Sequence, residues 1–496
     1  MYLLGIDIGT TSIKVGLINE KGGLVSLSIQ EYSLKTSSNN RVESYADTYW
    51  NSCKAGIRDV LEKSSVSSAS IVAIGLSSQG ETLVCLDKEG KVLRNVIVWL
   101  DSRAVEESEI IGREIPIELW YRTTGLPEVS PMWPICKILW IKRNEPDIFG
   151  KTSKFLVLKD YLIWKLTGEF VTDPSVSSST GYLSIVKRDW WDDALNILGI
   201  GHEKLPSIME SHTLIGRINL EVSKELGLPS GIPVINGGMD QMVGALGAGN
   251  IKPGIITETT GTALAIIATT DEPIFDPQRR VPCSPHCIPN KYILMPYTET
   301  AGILLRWFRD NFPSINGIED YDRMLSLANQ IPPGSDGLIV IPYFNGSFCP
   351  NFNPNARGAF VGVTLNHSRA HFIRAIVEAV SFMLRENIDL LRSLSIPVER
   401  VRALGGASKS DIWLQMKSDV LNLPVEVPLY SEASVLGAGI LAGIGCGIFS
   451  NYKDAVERAV KIVRVFKPDP KVSIFYEKVY QDYLSLYKKL YNYCRT

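Results

Sequence analysis

The sequence predicts an α/β protein of two related domains, and three observations lead there. The chain has 496 residues, long for one core and comfortable for two. It opens on a strand–turn–strand pattern, and a second pattern of the same chemistry returns about 250 residues later, as an internal duplication would give. Around these hairpins, strand-like stretches alternate with stretches of helical spacing.

Leu3, Leu4, Ile6 and Ile8 lead into Gly9, Thr10 and Thr11. Ile13, Val15 and Leu17 then alternate with Ser12, Lys14 and Gly16, the two-residue period of a half-buried strand. Lys21, Gly22 and Gly23 supply the next turn, and residues 24–29 return. A helix is predicted from an Asp47 cap, with Tyr49, Cys53, Ile57, Val60 and Leu61 on one face. Strands follow at 71–76 and 82–86. The second copy has strands at 255–259 and 263–268 around Thr260, Gly261 and Thr262. The boundary is placed near Gly249, giving domains 1–249 and 250–496. The second half carries helical patterns at 372–394, 411–421 and 435–444, and a closing helix is expected in the tail from Tyr452.

Hydrophobic residues make up 45%, enough for sizeable cores, and 51 Lys plus Arg face 53 Asp plus Glu. This balance gives no reason to expect nucleic acid or a membrane surface as a partner. The longest nearly apolar run, 435–449, holds five glycines and falls short of the roughly 20 residues a membrane helix needs. With a strand in place of a basic leader at the N-terminus, the expectation is a cytoplasmic protein. Cys283, His286 and Cys287 form a tight cluster without a second ligand pair downstream, so buried, reduced thiols are expected there.

Gly9–Thr10–Thr11 is a candidate phosphate loop. Glycine allows close backbone approach, successive N–H groups can cradle an anion, and Asp7 just before it could hold Mg²⁺ through water. Alone, an ordinary hairpin is the better explanation of it. Thr260–Gly261–Thr262 repeats the chemistry, and two such loops facing across a cleft would clamp a triphosphate. The segment from Gly405 and Gly406 to Ser410 joins a strand to a helix, and its small residues would let an adenine lie against backbone. Residues 234–240 run as an apolar strand into Gly237, Gly238 and Asp240. Phosphoryl transfer to an alcohol needs a carboxylate to accept the hydroxyl proton, and Asp240 is the candidate. Capping the following helix is its structural alternative.

These residues resemble the FGGY carbohydrate kinases, from about Leu3 to Phe449. Two long signatures carry the resemblance. One is the run from Met132 to Asn144 (Met-Trp-Pro-Ile-Cys-Lys-Ile-Leu-Trp-Ile-Lys-Arg-Asn). The other is Gly358-Ala-Phe-Val-Gly-Val, seven further residues, then His371 to Glu378 (His-Phe-Ile-Arg-Ala-Ile-Val-Glu). The resemblance implies two ribonuclease-H-like domains of the actin and hexokinase superfamily flanking a cleft, with ATP and Mg²⁺ as cofactors. It implies nucleotide contacts at Thr10, Thr11, Thr260, Gly261, Gly302, Gly406 and Ser410, a magnesium-side acid at Asp7, and the catalytic base at Asp240. Sugar contacts would be Gln79, Gly80, Glu81, Asp240 and Gln241, with Gly80 leaving room for a longer chain. Trp99, Asp101, Arg103 and Trp133 are either pocket neighbours or packing residues.

Sugar-site details point in different directions within the family. Gly80 and Glu81 stand where xylulokinases carry Met-His and glycerol kinases Arg-Glu. Gln241 follows the base as in glycerol kinases, whereas the segment from Gly405 looks like xylulokinase. The first expectation is phosphorylation of a small sugar, a pentulose such as xylulose. The alternatives are a polyol kinase and a catalytically inactive sugar sensor of the same fold. An actin-like filament or chaperone ATPase fits the two signatures less well. The expected partner is the sugar alone, with neither nucleic acid nor membrane, and a homodimer is the assembly considered.

Overall fold

The computed structural model describes residues 1–37, 40–314, 317 and 319–493. The first half opens on β1 (Tyr2–Ile8), β2 (Ser12–Asn19) and β3 (Leu24–Glu31). They pair antiparallel, with Ile8 opposite Ile13 at the first turn. Helix α1 (Ala46–Ser64) then buries Tyr49, Trp50, Cys53, Ile57 and Val60. Its start differs from the sequence expectation: Tyr45 holds the cap position and Asp47 lies in the first turn, where a carboxylate still complements the helix dipole. Strand β4 (Ile71–Ser78) returns parallel to β1. After α2 (Pro134–Asn144) and α3 (Leu158–Thr167) come β5 (Leu214–Arg217), β6 (Pro233–Met239) and α4 (Asp240–Gly247). The sheet runs β5-β6-β4-β1-β2-β3.

The second half repeats this plan. β7 (Gly254–Thr260) and β8 (Leu264–Thr270) form the second hairpin, with Thr260 opposite Leu264. β9 (Cys283–Pro285), β10 (Tyr292–Leu294), α5 (Gly302–Asn311), α6 (Arg369–Ser393), β11 (Val398–Leu404), α7 (Asp411–Leu421), β12 (Val425–Pro428), α8 (Ala433–Gly445), β13 (Ile462–Phe466) and α9 (Pro470–Tyr493) follow. The second sheet runs β9-β10-β8-β7-β11-β12-β13. In both halves an antiparallel three-stranded unit is extended by two parallel strands: β4 and β6 beside β1, and β11 and β12 beside β7. The weak repeat of the sequence is thus a repeat of topology.

The tail departs from the single closing helix expected. A short helix (Tyr452–Ala459) is followed by β13, which pairs antiparallel with β12, and only then by α9. Ile462, Arg464 and Phe466 are half-buried and alternate with exposed Val463 and Val465, a two-residue period that outweighs the helical pattern on either side.

Helix α8 explains the apolar run at 435–449. Its residues from Ala433 to Gly443 are nearly all buried, and among the described residues no helix is long and apolar enough to cross a membrane. Although it follows residue 250, α8 packs on the first sheet and on α4. A Cβ on Gly5 would lie 2.2 Å from the Val435 carbonyl oxygen, and one on Gly75 would lie 2.1 Å from that of Ala438. Only glycine lets the helix rest this closely on the sheet.

Candidate active site

Strand β6 ends in an irregularity. Its register against β4 shifts between Ile235 and Gly238, and Gly237 adopts φ +80° with Leu76 oxygen where a Cβ would sit. Such a bulge re-aims the chain beyond it. A buried polar network holds it. Lys159 Nζ donates to Asn236 Oδ1 (2.8 Å) and lies 3.4 Å from both Asp160 and Asp173. Asn236 Nδ2 donates to the carbonyls of Thr172 (2.9 Å) and Met209 (2.8 Å). Asp173 accepts from the hydroxyls of Ser175 and Ser211, and the Met239 N–H donates to Ser175 Oγ (3.0 Å). The backbone immediately before Asp240 is therefore fixed from below.

Asp240 is the first residue of α4, with Met239 in the cap position. Its carboxylate accepts from the Gln241 N–H at 2.7 Å, and its side chain faces the interdomain cleft, partly buried. Burial, then the carboxylates of Asp7 and Glu81, push its pKa up to about 8. Asp7, near the end of β1, accepts from Ser77 (2.8 Å) and from Ser434 at the start of α8 (2.8 Å). Burial raises its pKa as well, against these two hydrogen bonds and the charge of Lys14. Lys14 itself is paired with Glu432 at 2.5 Å.

On the sugar side, Gln79 donates to the Gly9 carbonyl (3.2 Å), tying the loop after β4 to the first phosphate loop. Glu81 is buried in the left-handed region at φ +55°, a conformation that costs a non-glycine residue energy and is found at functional sites. Lys137 from α2, fully buried, donates to the carbonyls of Glu81 (3.1 Å) and Val98 (3.0 Å). Burial drives the Glu81 carboxyl up and the Lys137 ammonium down. The first signature thus supplies the support beneath Glu81. The space expected beside Gly80 is not open, because a Cβ there would meet Ser179 Oγ at 2.8 Å and Met239 Cε at 3.2 Å. Trp99 and Trp133 line the same cavity, and Trp99 Nε1 donates to Thr10 Oγ1 (2.9 Å). Asp101 and Arg103 are packing residues: Arg103 binds Asp101 and Glu43, each at 2.7 Å, over the ring of Trp140.

The remaining predicted residues gather around the second loop. The Gly302 N–H donates to the Gly261 carbonyl (2.9 Å). Gly405, at φ +77°, backs onto the Thr260 carbonyl, 2.8 Å from where its Cβ would lie. Gly406 follows, and Ser410 caps α7 by accepting from the Trp413 N–H (3.3 Å). Thr11, Gly261 and Gly406 are exposed. The Thr260 side chain turns the other way. Its hydroxyl donates to Glu258 (2.6 Å) and accepts from Lys417 (2.8 Å), and Lys417 and Glu258 form an ion pair with both side chains fully buried. Any approach of Thr260 to a ligand is left to its backbone.

Sequence reasoning missed Ser179, Lys159, Asp173, Ser175, Glu258, Lys417 and Ser434. Most lie on elements far from the motifs in sequence, and only the fold brings them in. The cysteines of the 283–287 cluster are buried and free.

Two linked α/β domains, with an acid at a strand end facing a cavity lined by both halves of the chain, have the architecture of a two-domain sugar kinase. Family models agree. The N-terminal domain model of the FGGY family of carbohydrate kinases matches residues 2–247, and the C-terminal domain model matches 257–446. The chain is 31% identical over 499 residues to a gluconokinase of Bacillus licheniformis, covering 99% of this chain and 96% of that one. It is 30% identical over 486 residues to the xylulose kinase of Bacillus subtilis, covering 98% and 96%. The crystal structure of ligand-bound xylulose kinase from Lactobacillus acidophilus superposes with a TM-score of 0.91 at 29% identity, covering 99% of this chain and 98% of that one. The chain belongs to the FGGY family of carbohydrate kinases and is an ATP-dependent phosphotransferase acting on a sugar.

Proposed function

We propose that the acceptor is a neutral polyhydroxylated chain, a pentulose such as xylulose first, and that Asp240 is the general base. The observation carrying this reading is the cavity of about 910 Å³ that Asp240 shares with Gln79, Glu81 and Thr10. Glu128 and Glu299 add two more acids to its wall. Of its arginines, Arg280 is held by two hydrogen bonds to Asp276 (2.8 and 3.0 Å), and Arg279 lies 3.5 Å from Glu118 in a largely exposed pair. A wall so rich in acids disfavours a further anion such as an aldonate and suits hydroxyl groups as partners.

In the reaction, Glu81 and Gln79 orient the acceptor so that one hydroxyl meets Asp240, which takes its proton as the oxygen attacks the terminal phosphorus of ATP. The N–H groups of loops 9–11 and 260–262, with Gly302 and the 406–410 segment, hold the nucleotide. Mg²⁺ fits the Asp7 side of the cleft. Asp7 and Asp240, the charge of the first raising the pKa of the second, would offer hard carboxylate oxygens directly or through water, and a bound Mg²⁺ would neutralise the charge of the transferring phosphoryl group. A coupled ADP-release screen across pentuloses, hexuloses, polyols and aldonates tests the acceptor. An aldonate as the best acceptor by kcat/KM overturns the neutral reading.

A further inference from the structure

The cavity reaches a loop with no role in the reaction as described. Helix Ile117–Thr124 ends at Gly125, at φ +73°. The Gly125 carbonyl accepts from the Cys283 N–H of β9 (3.0 Å), and a Cβ on Gly125 would lie 1.8 Å from the Cys283 oxygen. The loop of the first domain is thereby fixed to a strand of the second. Three residues on, Trp133 Nε1 donates to the Glu128 carbonyl (3.0 Å) and holds the other side. Leu126, Pro127 and Glu128 line the cavity from this fixed loop, opposite Tyr297 and Cys349 of the second half.

The Glu128 carboxylate is half-buried, and among the described residues it has neither hydrogen-bond nor ion-pair partner. Burial alone raises its pKa. Arg280, a cationic residue of the same wall, is taken by Asp276. A partly desolvated carboxylate without a partner carries a cost, and the two contacts that fix the loop backbone keep Glu128 at the cavity wall. A ligand offering hydroxyl groups would complete it, because a carboxylate has acceptor sites for two neighbouring O–H donors.

We propose that Glu128 is a specificity-determining residue that accepts hydrogen bonds from hydroxyls of the acceptor and selects neutral polyhydroxylated chains over aldonates. This rests on the sugar-binding reading of the cavity given above, and adds to Glu81 a second carboxylate from a different loop.

The test uses the full-length enzyme with Glu128→Gln and Glu128→Ala, each assayed for KM of a pentulose, an aldonate and ATP. Loss of a hydrogen bond to a charged group predicts a pentulose KM raised about tenfold to a hundredfold, with the ATP KM within about twofold of wild type, since only acceptor contacts are removed. If the wild type instead prefers the aldonate, the neutral-acceptor reading fails separately. Glu128 contact then shows as a lower aldonate KM in Glu128→Gln, because a like charge has been removed. Unchanged KM for both acceptors overturns the assignment. So does a parallel rise in KM for acceptor and ATP, which would make the loop structural only.

Discussion

Asp240 combines two demands that pull against each other. It must be ionised to take a proton, yet it sits among protein atoms and two other carboxylates that push its pKa up to about 8. A carboxyl held above its ordinary value stabilises the fold below the unfolded value and loses that contribution as pH rises through the folded one. In ligand-free enzyme, Asp240→Asn should therefore melt at the wild-type temperature below about pH 4 and above it beyond about pH 8. Its kcat should fall about 10²- to 10⁴-fold. Melting curves and kcat on the same samples decide this; a variant less stable than wild type at pH 8 with near-normal kcat would make Asp240 a helix-start residue only. For Glu81, Glu81→Ala should raise the acceptor KM about tenfold or more, and the ATP KM far less. Equal effects on both would assign Glu81 to the scaffold.

At the scale of elements, two buried polar groupings place the loops. The Lys159–Asp173–Ser175 network ends on the Met239 N–H, one residue before Asp240. Ser175→Ala leaves that N–H without its partner, and kcat should drop several-fold or more with acceptor KM little changed, because a displaced base weakens the transition state more than binding. A matching loss in the folded fraction, with normal specific activity, would count against it. Behind the second loop, Lys417→Met leaves Glu258 buried and uncompensated, and should destabilise the protein by about 3–5 kcal/mol. Denaturant unfolding measures this, and a loss below about 1 kcal/mol, the scale of exposed pairs, would show that the Glu258–Thr260–Lys417 cluster does not support the loop.

These elements also mark how far the sequence could be read. The hairpins at Gly9 and Gly261, α6, α7 and α8 were visible because period two or 3.6 and local turn chemistry decide them. The strand β13 carried its own alternation but lay between two helical stretches. Asp240, Glu81 and the loop glycines were legible as candidates through motifs contiguous in sequence. Ser175, Lys417 and Ser434 were not, since their roles arise from contacts 64, 157 and 427 residues away. The Thr260 hydroxyl misled for a related reason. A strand alternates its side chains between faces, and no local signal says which face meets the ligand.

For the whole molecule, the placement of α8 means that residues 1–249 lack a helix that packs on their own sheet. Residues 1–249 expressed alone would leave bare the sheet surface at Gly5 and Gly75 and the face of α4 that α8 covers. That fragment should aggregate or expose dye-binding apolar surface, and adding α8 through a flexible linker should restore a cooperative melt. The same fact bears on synthesis. When Gly247 leaves the ribosome, the first sheet still lacks a covering helix that ends at Gly445. At typical bacterial elongation of about 5–20 residues per second, the nascent first sheet waits roughly 10–40 s for it. Over that interval its glycine-lined face is open to chaperones, and the pace of translation through the second half becomes a determinant of yield.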